Sequence, residues 1–225
     1  MHIVIFAGGI LQPGKTVDAA IATADLIIAA DSGATTALRY GCTPSFIIGD
    51  LDSLDIDQLQ QVIFEAGNKG SPYQIIQSPI EKDETDTELA VQFAIGRGAT
   101  SITLLGALGG VRFDHTIANI LLLAGFETVP IRIVDGPSIG WILRGPGSTT
   151  ISGQKGDLLS LLPLSGDAIG IRTVGLYYHL DGETLYFGKP RGVSNVLTSE
   201  SAEVSLQSGM LLVVHTDAQE LGDRA

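Results

Sequence analysis

Aspartates stand in this chain at the ends of apolar runs: Asp31 after one, Asp50 and Asp52 after the next, Asp83 and Asp86 after another, and Asp114 after a later one. Carboxylates are ligands for hard divalent cations, and an open parallel sheet binds its ligands outside the carboxyl ends of its strands. Loops of this kind converging on one rim would hold a metal ion. The chemistry they suit is metal-dependent transfer of a phosphate-bearing group. Asp50 and Asp52, two residues apart in an extended loop, point the same way and can share one ion. Ordinary turn chemistry offers a plainer account of 49–53, with Ser53 or Asp55 capping the next helix.

Lys82-Asp83-Glu84-Thr85-Asp86 packs charge and a hydroxyl into a helix start, where backbone N–H groups and the helix dipole attract anions. Lys82 and Thr85 can meet a phosphate there while an aspartate meets its metal. For Asp86 and Glu88 the plainer reading is the preference of acidic side chains for a first helical turn. The segment 106–115 carries glycines that let the backbone approach a ligand closely, and Arg112 adds a planar donor fork suited to phosphate. Asp114 can equally cap the following helix, and His115 reads as a surface or helix-terminal histidine. Asp31, Ser32 and Gly33 link a strand to a helix, for which an N-cap beside a small residue is the plain account. Residues 9–16 spell the P-loop pattern G-x-x-x-x-G-K-[ST] after a strand. The helix behind it has room only for about 17–24, and a P-loop would leave the later loops without a role. The match is therefore read as a coincidence, although Gly8 and Gly9 can still approach a phosphate.

These loops need a frame. From the start to about residue 135, apolar runs at 2–7, 26–30, 46–48, 73–77, 102–105 and 131–134 alternate with helical patterns. Near-continuous hydrophobic strands imply a mostly parallel sheet covered by helices on both faces. Thr85 and Glu88 form a capping box that opens one helix, and Gly96 and Gly98 close it. After Trp141 the pattern changes to short strands at 148–151, 157–162, 168–174, 184–187, 204–206 and 210–215, split by Gly, Ser and Pro, with no amphipathic helix between them. That reads as a small β-sandwich. The expected fold is α/β plus all-β, with domains at 1–136 and 141–217, a linker around 136–140, and a polar tail from 218 that frays.

The chain has 225 residues, 44% of them hydrophobic and 17% charged, enough to bury one large core or two modest ones. Its net charge of -12, with no Lys/Arg cluster to offset it, argues against nucleic acid as a partner. It leaves room for a nucleotide whose phosphates are bridged to carboxylates by divalent ions. Cys42 is the single cysteine, so one chain can build neither a disulfide framework nor a cysteine zinc site, and a reducing compartment is expected. The opening residues read as a strand rather than a signal peptide, and no apolar stretch reaches the roughly 20 residues of a membrane span. A cytoplasmic protein without a membrane partner is expected.

Taken in order, A-D-S-G-A at 30–34, G-D-L-D-S at 49–53, K-D-E-T-D at 82–86 and G-G-V-R-F-D-H at 109–115 resemble the motifs of thiamine pyrophosphokinases. R-G-V-S-N at 191–195 is similar to the G-x-S-N segment of that family's β domain. The resemblance implies transfer of a diphosphoryl group from ATP to the hydroxyethyl oxygen of thiamine, releasing AMP, with Mg²⁺ as cofactor. It also implies a homodimer that holds thiamine between subunits. Carried over by motif, Asp50, Asp52 and Asp86 would bind Mg²⁺ with Asp83 and Asp31 in support, and Lys82, Thr85 and Arg112 would contact phosphates. Gly8, Gly9, Ser32 and Gly33 would lie on the ATP side. Asp114 would help orient the attacking hydroxyl, and Ser194 and Asn195 would reach thiamine from the partner subunit. Three departures stand out: Val111 separates Gly-Gly from Arg112, Ser32 replaces a glycine, and Val196 and Leu197 follow G-x-S-N where some members stack an aromatic. Two alternatives remain open at the level of sequence: a diphosphokinase acting on another alcohol such as a hydroxymethyl pterin, and a non-catalytic nucleotide-binding module.

Overall fold

The computed structural model describes residues 1–51 and 73–222, so Asp52, Ser53 and Asp55 lie outside the described residues. The chain divides into two compact units, Met1–Gly136 and Pro137–Ala225. In the first, strands β1 (His2–Phe6), β2 (Leu26–Ala30), β3 (Phe46–Gly49), β4 (Gln74–Gln77), β5 (Ser101–Leu105) and β6 (Ile131–Asp135) pair in the order β6-β5-β1-β2-β3-β4, every pair parallel. The expectation of a parallel sheet rested on unbroken apolar runs. The reason is visible in β1, where Ile3, Val4, Ile5 and Phe6 are all fully buried because both faces of the strand are covered.

Helices α1 (Lys15–Ala22), α2 (Gly33–Arg39), α3 (Asp86–Gly96) and α4 (Phe113–Gly125) connect these strands. The chain steps from β1 through β4 in one direction, then returns past β1 to β5 and β6. Right-handed crossovers therefore put α1 and α2 on one face and α3 and α4 on the other. The direction reverses between β1 and β5, and in open sheets of this kind the carboxyl ends of the strands near such a reversal are where ligands bind. Helix α3 opens with the Thr85 half of the expected capping box: Thr85 has extended backbone and its hydroxyl accepts from the Glu88 N–H at 3.2 Å, while the Glu88 carboxylate accepts from Gln92 Nε2 at 3.3 Å.

Among its described residues the second unit is all-β apart from one 3₁₀ turn and one short helix. Its strands β7 (Ser138–Arg144), β9 (Leu158–Pro163), β14 (Met210–Thr216) and β12 (Asn195–Val196) pair as β12-β9-β14-β7. Strands β8 (Gly147–Ser152), β10 (Ala168–Val174), β11 (Asp181–Leu185) and β13 (Ser201–Leu206) pair as β11-β10-β13-β8, and all pairings are antiparallel. Alternate residues of both sheets, among them Leu159, Leu161, Ile171, Val204, Leu211 and Val213, form one buried cluster, which makes the unit a sandwich. The stretch 136–140 supplies only a turn at Gly136 (φ 52°) before β7 begins at Ser138. The first residues of the tail expected to fray form helix α5 (Ala218–Leu221). Asp217 caps it by accepting from the Gln219 N–H, and the buried Asp157 carboxylate holds its first amide, from Ala218, at 3.1 Å.

Candidate functional site

A cleft of about 730 Å³ opens at the carboxyl ends of the parallel strands. Gly8 and Gly9 reach it from β1, Asp31 and Ser32 from β2, and Asp50 from β3. Lys82, Asp83, Thr85 and Asp86 line it from the start of α3, and Arg112 from the loop after β5. Segments far apart in the chain thus meet at one rim. Two expected members do not line it. Gly33 is buried under the sheet end, where an added Cβ would fall 2.0 Å from the Phe6 carbonyl oxygen, so glycine there lets α2 approach β1. Asp114 points its carboxylate at Arg112, which donates from Nε at 3.0 Å and from Nη2 at 2.5 Å.

The centre of the cleft is a cation held by two carboxylates. The Lys82 ammonium donates to Asp86 Oδ1 at 2.8 Å, to Asp50 Oδ2 at 3.2 Å and to Ser78 Oγ at 2.8 Å, with only 11% of its side chain exposed. Burial alone would pull this ammonium down. Its hydrogen bonds to Asp86 and Asp50 and their charges outweigh that and hold it above the ordinary lysine value. Gly49 makes the gathering possible: an added Cβ would meet Asp86 Cγ at 3.2 Å and Asp31 Cβ at 3.1 Å. Among the described residues no three His, Cys, Asp or Glu side chains form a group that could hold a metal by themselves. Two carboxylates that already share one positive charge nevertheless fit Mg²⁺, which usually keeps waters and takes one or two carboxylates plus substrate phosphates.

Arg112 and Asp114 form an exposed pair, their side chains 64% and 63% accessible. The Arg112 hydrogen bond holds the Asp114 carboxyl at about 2, well under the usual range. Val111, the residue inserted before Arg112, is fully exposed, and Arg112 still lines the cleft. The plain account of Ser32 does not hold: it occupies the N-cap position of α2 but makes no capping hydrogen bond, and its hydroxyl lies over Gly8. Among the described residues, the non-glycine positions with positive φ are Asp31 (47°), Leu51 (66°) and Ser194 (58°). Each falls inside one of the motifs read from the sequence, and strain of this kind persists where the surroundings impose it, commonly at functional sites.

The P-loop pattern does not start as a P-loop. The chain entering it and its first residues pair with backbone: Ala7 N–H with Leu105 O at 2.8 Å, Gly9 N–H with Gly106 O at 2.7 Å and Ile10 N–H with Leu108 O at 2.9 Å. Gln12 N–H is taken by the Asp135 carboxylate at 2.8 Å. The segment continues β1 alongside 105–108 instead of wrapping an anion.

In the second unit, a pocket of about 460 Å³ is lined by Leu161, Leu185, Val193 and Asn195 with Tyr177 and Tyr178. Asn195 is 8% exposed and turned inward: Oδ1 accepts from Tyr178 N–H at 3.0 Å and Val196 N–H at 2.9 Å, and Nδ2 donates to Tyr178 O at 2.6 Å. Ser194 lies beside it, its N–H donating to Ser160 Oγ at 3.1 Å. Sequence reasoning missed Ser78, Asn119 and the tyrosines. Ser78 follows β4 directly, so the carboxyl-end rule that located the aspartates would have found it. Asn119 lines the cleft and ties α4 to the β5 loop through Ala107 O at 2.8 Å. The tyrosines reach Asn195 through space and carry no local signal.

A parallel sheet with carboxylates, a lysine and an arginine at its switch point, joined in one chain to a β-sandwich, is the layout of a phosphate-transferring enzyme. The model of the thiamin pyrophosphokinase catalytic domain matches residues 17–134, and that of the thiamin pyrophosphokinase vitamin B1 binding domain matches residues 148–211. A thiamine pyrophosphokinase from Bacillus subtilis (strain 168) is 30% identical over 194 residues, spanning 85% of this chain and 87% of its own. A crystal structure of thiamine pyrophosphokinase from Bacillus subtilis superposes with a TM-score of 0.83 at 29% identity, covering 97% of this chain and all of that one. One from Geobacillus thermodenitrificans gives 0.78 at 28% identity, covering 98% of this chain and all of that one. The chain belongs to the thiamine pyrophosphokinase family, enzymes that transfer a diphosphoryl group from ATP to thiamine.

Proposed function

We propose that the cleft of the first unit binds ATP with Mg²⁺ and that the pocket beside Ser194 and Asn195 receives thiamine, whose hydroxyethyl oxygen attacks the β-phosphorus as the bond to AMP breaks. The observation that carries this reading is the pair of carboxylates, Asp50 and Asp86, gathered on one cation at the carboxyl ends of parallel strands. Asp50, Asp52 and Asp86 would hold Mg²⁺, with Asp83 and Asp31 in support; such an ion would supply neutralisation of polyphosphate charge. Lys82, once it leaves the carboxylates, is free to meet a phosphate oxygen. Thr85 accepts from Glu88 through an oxygen lone pair, so its hydroxyl proton remains for another. Arg112 has the planar fork that matches phosphate geometry. The Arg112–Asp114 pair is exposed and screened by solvent, so Arg112 can exchange Asp114 for a phosphate at little cost. The part of Asp114 in orienting the hydroxyl requires that exchange first. Diphosphoryl transfer asks chiefly for alignment and charge stabilisation, and these residues provide both.

The reading includes a homodimer. Helix α4 leaves Phe113, Ile117 and Leu121 exposed at i, i+4 and i+8, an apolar stripe that a second copy would cover. In such a dimer the β unit of one subunit brings Ser194 and Asn195 to the cleft of the other.

The test is the identity of the nucleotide product with thiamine as acceptor. AMP and thiamine diphosphate should form in equal amounts, and Asp86→Asn should abolish both while the melting curve stays cooperative. Formation of ADP, or full turnover by Asp86→Asn, would overturn the reading.

A further inference from the structure

Two large aromatic side chains stand open to water on the β unit, Tyr177 at 67% and Tyr178 at 66% exposure, yet the backbone beneath them is fixed. Tyr177 N–H donates to Val196 O at 2.9 Å. Tyr178 is held from both of its backbone groups by the Asn195 amide. Leu180 N–H donates to Thr173 Oγ1 at 2.8 Å, and the buried Leu176 bridges to the buried Leu197. The two rings meet edge to face, 4.8 Å between centroids and 84° between planes. Exposed aromatics on a pinned segment are partly preorganised: the backbone entropy of ordering the segment has already been met, and the rings order each other edge to face, so a ligand has less to meet.

The pocket these rings border has apolar walls and a volume of about 460 Å³, within the range of small-molecule sites. Its one guanidinium, Arg191, is paired with Glu183. Residues 148–211, which contain the whole lining, match the vitamin B1 binding domain. Thiamine is a planar aromatic cation, and the faces of tyrosine rings attract such a charge through their quadrupole.

We propose that Tyr177 and Tyr178 form the ring platform that recognises the thiazolium cation of thiamine, and that Asn195 is a positioning residue that holds this platform rather than a group that touches the substrate. The inference rests on the reading that thiamine occupies this pocket. Three of the four hydrogen-bond capacities of Asn195 are spent within the chain, and only one orientation of its amide satisfies both Tyr178 groups. The sequence motif therefore points at the right place through a residue that acts on its neighbour.

The experiment measures thiamine affinity by calorimetry, alongside a neutral-ring analogue that lacks the thiazolium charge. Tyr178→Ala should weaken thiamine by about tenfold and the neutral analogue much less, while Tyr178→Phe stays within about twofold of the parent. The KM for ATP should not move in either variant. Asn195→Ala should weaken thiamine by no more than Tyr178→Ala does, and the double variant should be no worse than Tyr178→Ala alone. Equal losses for thiamine and the neutral analogue would overturn the platform, and losses that multiply in the double variant would overturn the positioning role. Val193→Trp, which fills the pocket, separates the two levels of the argument. If it leaves thiamine binding intact, the placement of thiamine fails. If it blocks binding while Tyr178→Ala does not weaken it, only the platform fails.

Discussion

Lys82 stands where a cation is needed and makes the two carboxylates compatible with each other before any ligand arrives. Removing one partner of such a part-buried cluster leaves the others uncompensated, at a cost of about 1–3 kcal/mol. Lys82→Ala should therefore lower the melting temperature, and Mg²⁺ alone should restore more of it than it adds to the parent protein, because an ion that binds only the folded chain stabilises it by mass action. Differential scanning fluorimetry across a Mg²⁺ titration reads this directly, and identical shifts in the two proteins would contradict it. Since the Lys82 value is raised in the folded state, its contribution is complete below the ordinary lysine value and fades only as pH climbs through the higher folded one. The cluster thus keeps its charge throughout the neutral range. Asp114 is displaced the other way, to about 2, so its pairing with Arg112 is present above the ordinary carboxylate value and fails only in strong acid.

At the scale of elements, Asp157 fastens the end of the sandwich. Its carboxylate, 3% exposed, accepts from Gln154 N–H at 2.8 Å, Ala218 N–H at 3.1 Å and His215 Nε2 at 2.9 Å. Burial pushes this carboxyl up, but the donors outweigh it and hold it below the ordinary value of 3.8. A lowered carboxylate stabilises above its unfolded value and stops doing so as pH falls through its folded one. Asp157→Asn should cost about 1–3 kcal/mol at neutral pH, and the gap between the two melting curves should close as the solution is acidified below the ordinary value. The loop after β1 allows a second check: its Gly9, Ile10 and Gln12 amides are committed to backbone and to Asp135, so Lys15→Ala should keep kcat and still release AMP. The carboxyl-end loops, the Thr85 capping box and the alternation of the sandwich strands were legible because each is written in adjacent or periodic residues. The early start of β7, the short helix α5 and the tyrosine platform were not. Their causes are partners far away in sequence, such as Asp157 reaching Ala218 and Asn195 reaching Tyr178. The close packing of Gly33 against β1 was not legible, because a glycine needed for close packing and one needed for ligand approach look alike in a sequence.

At the scale of the whole molecule, the apolar stripe on α4 bears on assembly. Helix α4 buries only Asn119 and Leu123 of its thirteen residues, while Phe113, Ile117 and Leu121 share an exposed face. An amphipathic helix with a second apolar face is expected to bury it against another surface, and a two-fold dimer would place the same stripe on both copies. Leu121→Arg puts a charge at the C-terminal end of that face without touching the cleft lining. The chain should then fold, with a melting temperature near that of the parent, and elute as a monomer in light-scattering chromatography. If the thiamine pocket of one subunit serves the cleft of the other, the monomer should lose diphosphoryl transfer while still binding ATP. Recovery of activity on raising the protein concentration would mark a weakened dimer. A fully active monomer would show that one chain completes the site alone, and the shared site would have to be abandoned while the carboxylate cleft stood.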